Sequence, residues 1–169
     1  EEIQEEQDKK GIVNRTDFKY FLMVTKGGII KKTDLSQFSK IRANGLTAIK
    51  LEPNDELIWV KPTTGTDNII LITAEGKSIR FSEKDVRPLG RSTRGVTAMK
   101  FKTDTDYIVG MGVVRKNEDK LFALSENGHG KMTKLSGYPL QKRGGTGVFT
   151  FRVTPKTGKV VAARVLDHP

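Results

Sequence analysis

The sequence predicts an all-β fold of propeller type: three repeated blades of four antiparallel strands, forming an incomplete ring. Three observations carry this. A motif recurs at a period near 50 residues, glycines fall at matched places in every copy, and short apolar runs stand where a helical period would otherwise be sought.

The repeat comes first. YFLMVTKGGIIKKTDLSQF begins at Tyr20, NIILITAEGKSIRFSEKDV at Asn68 and KLFALSENGHGKMTKLSGY at Lys120. Their turn glycines are Gly28, Gly76 and Gly128, spaced by 48 and 52 residues. A second glycine, at Gly45, Gly95 and Gly147, opens GLTAIKL, GVTAMKF and GVFTFRV. A last apolar run closes each unit at Leu57–Val60, Tyr107–Val109 and Val160–Ala163.

Each run has strand character. Phe21–Val24, Ile69–Ile72 and Leu121–Leu124 are continuously apolar, which suits a strand covered on both faces. The glycine-led runs alternate and read as half-buried strands. Glycine at the tips supplies the positive φ of a tight hairpin. Residues 33–38, 82–86 and 134–138 have room for a single helical turn. A sandwich or barrel would also give many strands, but not matched glycines in a matched order. The organisation expected is an acidic stretch or linker over 1–10 and a partial propeller over 11–169, with blades at about 17–66, 67–118 and 119–169. Gly11-Ile12-Val13 reads as the tail of an earlier repeat and the chain as a piece of a larger protein, its end blades exposing faces that neighbours would cover.

Charge narrows the function. The 169 residues hold 30 Lys and Arg against 20 Asp and Glu, a formal charge of +10. The first ten carry −3, leaving +13 on the remainder. Such a body attracts polyanions, nucleic acid above all. With no cysteine there is no disulfide, thiolate zinc site or cysteine nucleophile, and the composition fits a reducing cytoplasm. No apolar run approaches the ~20 residues of a membrane span, and the acidic start is unlike a signal peptide.

The segments before the second glycine differ most between repeats. They read Ser39–Gly45, Arg87–Gly95 and Pro139–Gly147, and each holds at least two basic residues. Glycine lets backbone N–H groups approach a phosphate, and Lys and Arg beside it add charge and donors. One such loop per blade would lay a track for a long charged polymer; three solvated connections are the plainer reading. Trp59 and Phe151, in apolar strand runs, are expected in the core rather than stacked on bases.

An enzyme reading finds little support. His129 aligns with Ile29 and Lys77, so the repeat demands no histidine there, and His168 lies at the C-terminus. Tyr138 aligns with Phe38 and Val86 and reads as core; Tyr20 and Tyr107 border apolar strands. Glu56, Glu75, Glu83 and Asp85 show no metal-ligand clustering and are expected as surface charges. No P-loop pattern occurs. No catalytic residue, metal or cofactor is assigned.

Gln141-Lys142-Arg143-Gly144-Gly145-Thr146-Gly147 resembles the gyrase-A box, Q-R-R-G-G-K-G, at five of seven positions. Lys142 keeps a charge where Arg is usual; Thr146 removes one. Residues 31–45, 86–96 and 126–141 are likewise similar to middle blades of the C-terminal domain of DNA gyrase A, and the resemblance spans about residues 11 to 166. It implies a cytoplasmic, nucleoid-associated, non-catalytic module that binds and bends double-stranded DNA in support of supercoiling. Its partners would be the rest of the gyrase A polypeptide and the gyrase B polypeptide, with no membrane and no cofactor. Cleavage and ATP hydrolysis would lie in other domains. The candidate contacts are Gln141, Lys142, Arg143, Gly144, Gly145 and Gly147 in the box, with Arg87, Arg91, Arg94, Lys40 and Arg42 in the earlier loops. The family's wrapping box sits in its first blade, whereas this copy falls in a later one, which leaves binding expected and independent wrapping open. The related domain of topoisomerase IV and a protein-binding propeller remain alternatives. A glycosidase-like propeller would need recurring acids at the blade centre, and none recur.

Overall fold

The computed structural model describes residues 15–117 and 119–166. The acidic stretch 1–10, the Gly11–Val13 run and His168 lie outside the described residues. Three sheets follow one another. The first contains β1 (Tyr20–Thr25), β2 (Ile29–Asp34) and β3 (Leu57–Thr63). The second contains β4 (Asn68–Thr73), β5 (Lys77–Ser82) and β7 (Ile108–Val114). The third contains β8 (Lys120–Ser125), β9 (Gly130–Lys134) and β12 (Val160–Leu166).

Within each sheet a hairpin forms the centre and the unit's last strand returns beside it, all antiparallel. The hairpin tips turn on Gly28, Gly76 and Gly128, with φ between 82° and 86°. A short 3-10 turn follows each hairpin, at Leu35–Phe38, Glu83–Asp85 and Leu135–Gly137. Asp34 caps the first of them, accepting from the Ser36 N–H at 2.8 Å, and hydrogen bonding from the Ser36 side chain, then from its backbone, holds the carboxyl below the ordinary aspartate pKa.

The fourth strand does not come from the same repeat. β6 (Val96–Thr97), which belongs to the second repeat, pairs with β2 of the first. β10 (Leu140–Gln141) and β11 (Val148–Phe149), from the third, pair with β5 of the second, the former in parallel. Sheet and repeat are thus offset by one strand. The architecture is an open β-propeller, its strand order β3-β1-β2-β6, then β10-β5-β4-β7 with β11 also on β5, then β12-β8-β9.

This offset explains a difference from expectation. The glycine-led runs read as strands in all three repeats, yet residues 46–51 form none. Strand geometry there needs a preceding hairpin edge, as β6 and β11 have, and no described residue supplies one.

The core lies between neighbouring sheets. Leu22, Val24, Ile69, Leu71, Ile79 and Phe81 fill the space between the first two. Ile70, Ile72, Leu121, Tyr138, Phe151 and Val160 fill that between the second and third. β4 therefore buries both faces, in keeping with its unbroken apolar run. Tyr138 and Phe151 are core residues, as the sequence implies, and the Tyr138 hydroxyl bonds that of Thr150. Trp59 packs partly buried against the first cluster.

Glu83, expected on the surface, is fully buried. It accepts from the Thr63 hydroxyl and from the N–H groups of Gly65 and Asp67, each at 2.8 Å. The loop leading into β4 wraps around its carboxylate, which satisfies a charge that would otherwise be costly to bury.

Candidate nucleic-acid interface

The basic loops shingle along the molecule, each lying over the glycine-led segment of the repeat before it. The Lys50 N–H donates to the Thr93 carbonyl at 3.0 Å, and the aligned Lys100 N–H donates to the Gly145 carbonyl at 2.9 Å. The same step is thus taken twice. Loop 87–95 covers segment 47–52, and the loop of residues 141–147 covers segment 96–102.

The 141–147 loop is built from the backbone outward. Gln141 pairs with Phe81 in the short parallel ladder. The Gly144 N–H donates to the Ala98 carbonyl at 2.7 Å. Gly144 and Gly147 take φ of 84° and 72°, and a Cβ on Gly147 would run into the Ser78 carbonyl. Arg143 is tied down by both ends of its guanidinium. Nε donates to the Asp85 carbonyl and Nη1 to the Thr97 carbonyl, each at 2.9 Å. Its neighbour Lys142 points into solvent, its side chain 91% exposed, with Nζ 3.6 Å from Asp85. Adjacent basic residues therefore hold different posts: one positions the loop, the other presents a charge.

Arg87 stands exposed two residues beyond Asp85, which itself meets Lys142 and Arg143. Together with Tyr20, Lys32, Lys84 and Leu89, Arg87 and Arg143 line a groove along this side. The structure thus brings the second and third loops together. Arg91 and Arg94 turn toward the first repeat instead. Arg91 Nη1 donates to the Thr47 carbonyl at 3.1 Å, and Arg94 forms a 2.7 Å ion pair with the half-exposed Glu52. Lys40 and Arg42 are exposed on the first loop.

Three supporting cations escaped the sequence reading. Lys31 is wholly buried, and its Nζ donates to the carbonyls of Arg91, Ala48 and Thr93 at 2.5, 2.8 and 3.0 Å. It clamps the second loop onto the first segment. Burial, and then the Arg91 charge, hold its pKa below the ordinary lysine value. Lys32 and Arg80 occupy the next aligned position. Each reaches into the following unit, to the Glu83 carbonyl at 2.9 Å and the Leu135 carbonyl at 2.9 Å respectively, and burial lowers the pKa of both. The visible signal was a lysine pair directly after the two isoleucines of β2, at Lys31-Lys32, in a strand buried at its four central positions. Among the described residues no cluster of three His, Asp or Glu could hold a metal, and no helix is long and apolar enough to cross a membrane.

The repeated, shingled units have counterparts among known proteins. The family model of the DNA gyrase C-terminal domain, a β-propeller, matches residues 19–64, 67–115 and 119–167. The chain belongs to the DNA gyrase A C-terminal domain family. The DNA gyrase A protein of Staphylococcus epidermidis is 43% identical over 143 residues, which is 84% of this chain and 16% of that protein. A solved DNA gyrase A C-terminal domain matches with a TM-score of 0.80 at 30% identity, over 91% of this chain and 51% of that one. A topoisomerase IV C-terminal domain matches with a TM-score of 0.84 at 27% identity, over 92% and 49%. The chain thus spans about a sixth of the curated relative and about half of each solved domain. The three family segments begin within two residues of the three sequence repeats.

Proposed function

We propose that this chain is a non-catalytic, DNA-binding module of a type II topoisomerase, carrying duplex DNA along the edge where its basic loops shingle. The observation that carries the reading is a groove lined by Lys84, Arg87 and Arg143 together with Asp85, to which the exposed Lys142 of the third loop extends its Nζ at 3.6 Å. Contacts of this kind go to phosphates and are independent of base sequence. Repeating the step from one sheet to the next follows the curve of the propeller, so a duplex tracking several loops must bend, and flexible sequences bend at least cost. The whole enzyme would cut DNA and use ATP in other parts of the gyrase A polypeptide and in gyrase B, in the cytoplasm, on the nucleoid. Family membership favours gyrase over topoisomerase IV as the parent.

The test is binding of a labelled duplex, long enough to follow the edge, over a range of salt concentrations. Expected is a steep fall in affinity with salt, alike for unrelated sequences. Absence of binding by folded protein at low salt overturns the reading.

A further inference from the structure

The two junctions between neighbouring sheets differ at the edge opposite the basic loops. In the strand order the loops lie toward β2 and β5, and β3, β7 and β12 form the other edge. In β7, Gly110 and Gly112 pair with Ile72 and Ile70. A Cβ on Gly110 would press on Ala163, and one on Gly112 would run into Val165. The two glycines thus let β12 lie directly on β7. The aligned residues of β3 are Trp59 and Lys61, which pair with Val24 and Leu22. Two long side chains stand where the other junction has none, and a cavity opens between β3 and β7.

That cavity holds about 420 Å³, within the size range of small-molecule sites. Phe18, Trp59, Met111 and Val113 give it an apolar wall. Lys61, Arg115 and Arg164 line it too, and among the described residues no acid does. Arg115 is positioned from two sides. Its Nε lies 3.8 Å from a carboxylate oxygen of the buried Asp67, and its guanidinium carbon 5.7 Å from the centre of the Phe18 ring. Asp67 answers one of the three charges. An aromatic wall beside an excess of positive charge suits an anion with a flat apolar body. The cavity arises between two sheets that pack on each other, from the size of Trp59 and Lys61.

We infer that this cavity binds a small aromatic phosphate ester the size of a mononucleotide, its ring against Trp59 and its phosphate between Lys61 and Arg115. A phosphate monoester carries a charge of about −2 at neutral pH. That matches the two cations Asp67 leaves unanswered, where a carboxylate would match one. The Arg115 guanidinium offers the forked N–H donors that phosphate oxygens accept. The site lies across each sheet from Arg87, Lys142 and Arg143, so it is independent of the DNA reading, and failure of either leaves the other standing.

Trp59 is the one tryptophan of the chain, so its emission reports on this cavity. Titration with AMP should change that emission and saturate. Adenosine, which lacks the charge, and inorganic phosphate, which lacks the ring, should each bind about tenfold more weakly. Lys61→Met keeps the aliphatic stem and removes the charge. It should raise the AMP dissociation constant about tenfold, with melting and DNA affinity unchanged, and Lys61→Arg should restore binding. Lys142→Ala should leave the AMP titration as it is. Trp59 emission that AMP does not alter in folded protein overturns the inference, and so does AMP binding that Lys61→Met leaves intact. A loss in Lys142→Ala equal to that in Lys61→Met also overturns it, since AMP would then sit on the basic loops.

Discussion

Arg143 reaches across 58 residues of sequence to the Asp85 carbonyl, donating from Nε at 2.9 Å. With its second bond, to Thr97, it fixes the 141–147 loop to the second sheet. Replacing it by Ala should therefore cost about 2 kcal/mol of stability, the worth of hydrogen bonds made by a charged donor. Lys142→Ala, at an exposed side chain, should leave the denaturation midpoint unchanged. It should lower DNA affinity at all sequences alike and reduce the salt slope by about 1. Urea denaturation and salt-dependent binding of both variants separate the two roles.

Glu52 holds Arg94. Their 2.7 Å ion pair is half-exposed, and such pairs contribute at most about 1 kcal/mol. Glu52→Gln should then leave stability nearly unchanged, raise DNA affinity several-fold and steepen its salt dependence. An unchanged slope would remove Arg94 from the phosphate contacts.

Lys31→Met removes the donor shared by three carbonyls and should cost about 2 kcal/mol, since those of Ala48 and Arg91 lose its charged N–H while that of Thr93 keeps the Lys50 N–H. The pH dependence has a definite sign. Burial lowers the folded-state pKa beneath an unfolded value near ~10.4. Between the two, the unfolded chain binds more protons, so alkalinisation through that window favours folding. The stability of the wild type relative to Lys31→Met should rise with pH there, as read by denaturation at matched ionic strength.

Gly147→Ala and Gly45→Ala form a paired measurement. Both positions have positive φ, at 72° and 78°, and a left-handed backbone costs a side chain about 1–2 kcal/mol. Only Gly147 also faces a carbonyl, that of Ser78. Its substitution should be the more destabilising of the two, measured on dilute protein, and should displace the 141–147 loop.

Much of the fold was legible because it is written locally. Continuous apolar runs marked β1 and β4, glycines marked the hairpin tips, and the short 3-10 turns fell inside the segments that had room for one. The exchange of β6 and β11 between units was not legible, since alternation tells a strand which face to bury and not which edge to join. The run at 46–51 reads as a strand for that reason; its pattern is right and its partner is missing. Glu83 and Lys31 were hidden by a related cause. Each is ionisable and buried, and each is satisfied by groups distant in sequence, chiefly backbone, that sequence does not reveal as neighbours. In the candidate site, composition found the loops. It could not tell Lys142, which faces solvent, from Arg143, which holds the loop in place.

The offset between sheet and repeat also orders events during synthesis. When β2 leaves the ribosome, the strand that will cover its outer edge has not been made, and Val96 emerges more than a full repeat later. β5 waits in the same way for Val148. Each hairpin must hold an open edge for the time the next unit takes to appear, and pairings so distant in sequence are slow to form. The nascent chain is thus most exposed to wrong partners at its newest hairpin, and each arriving repeat closes one hazard while opening the next.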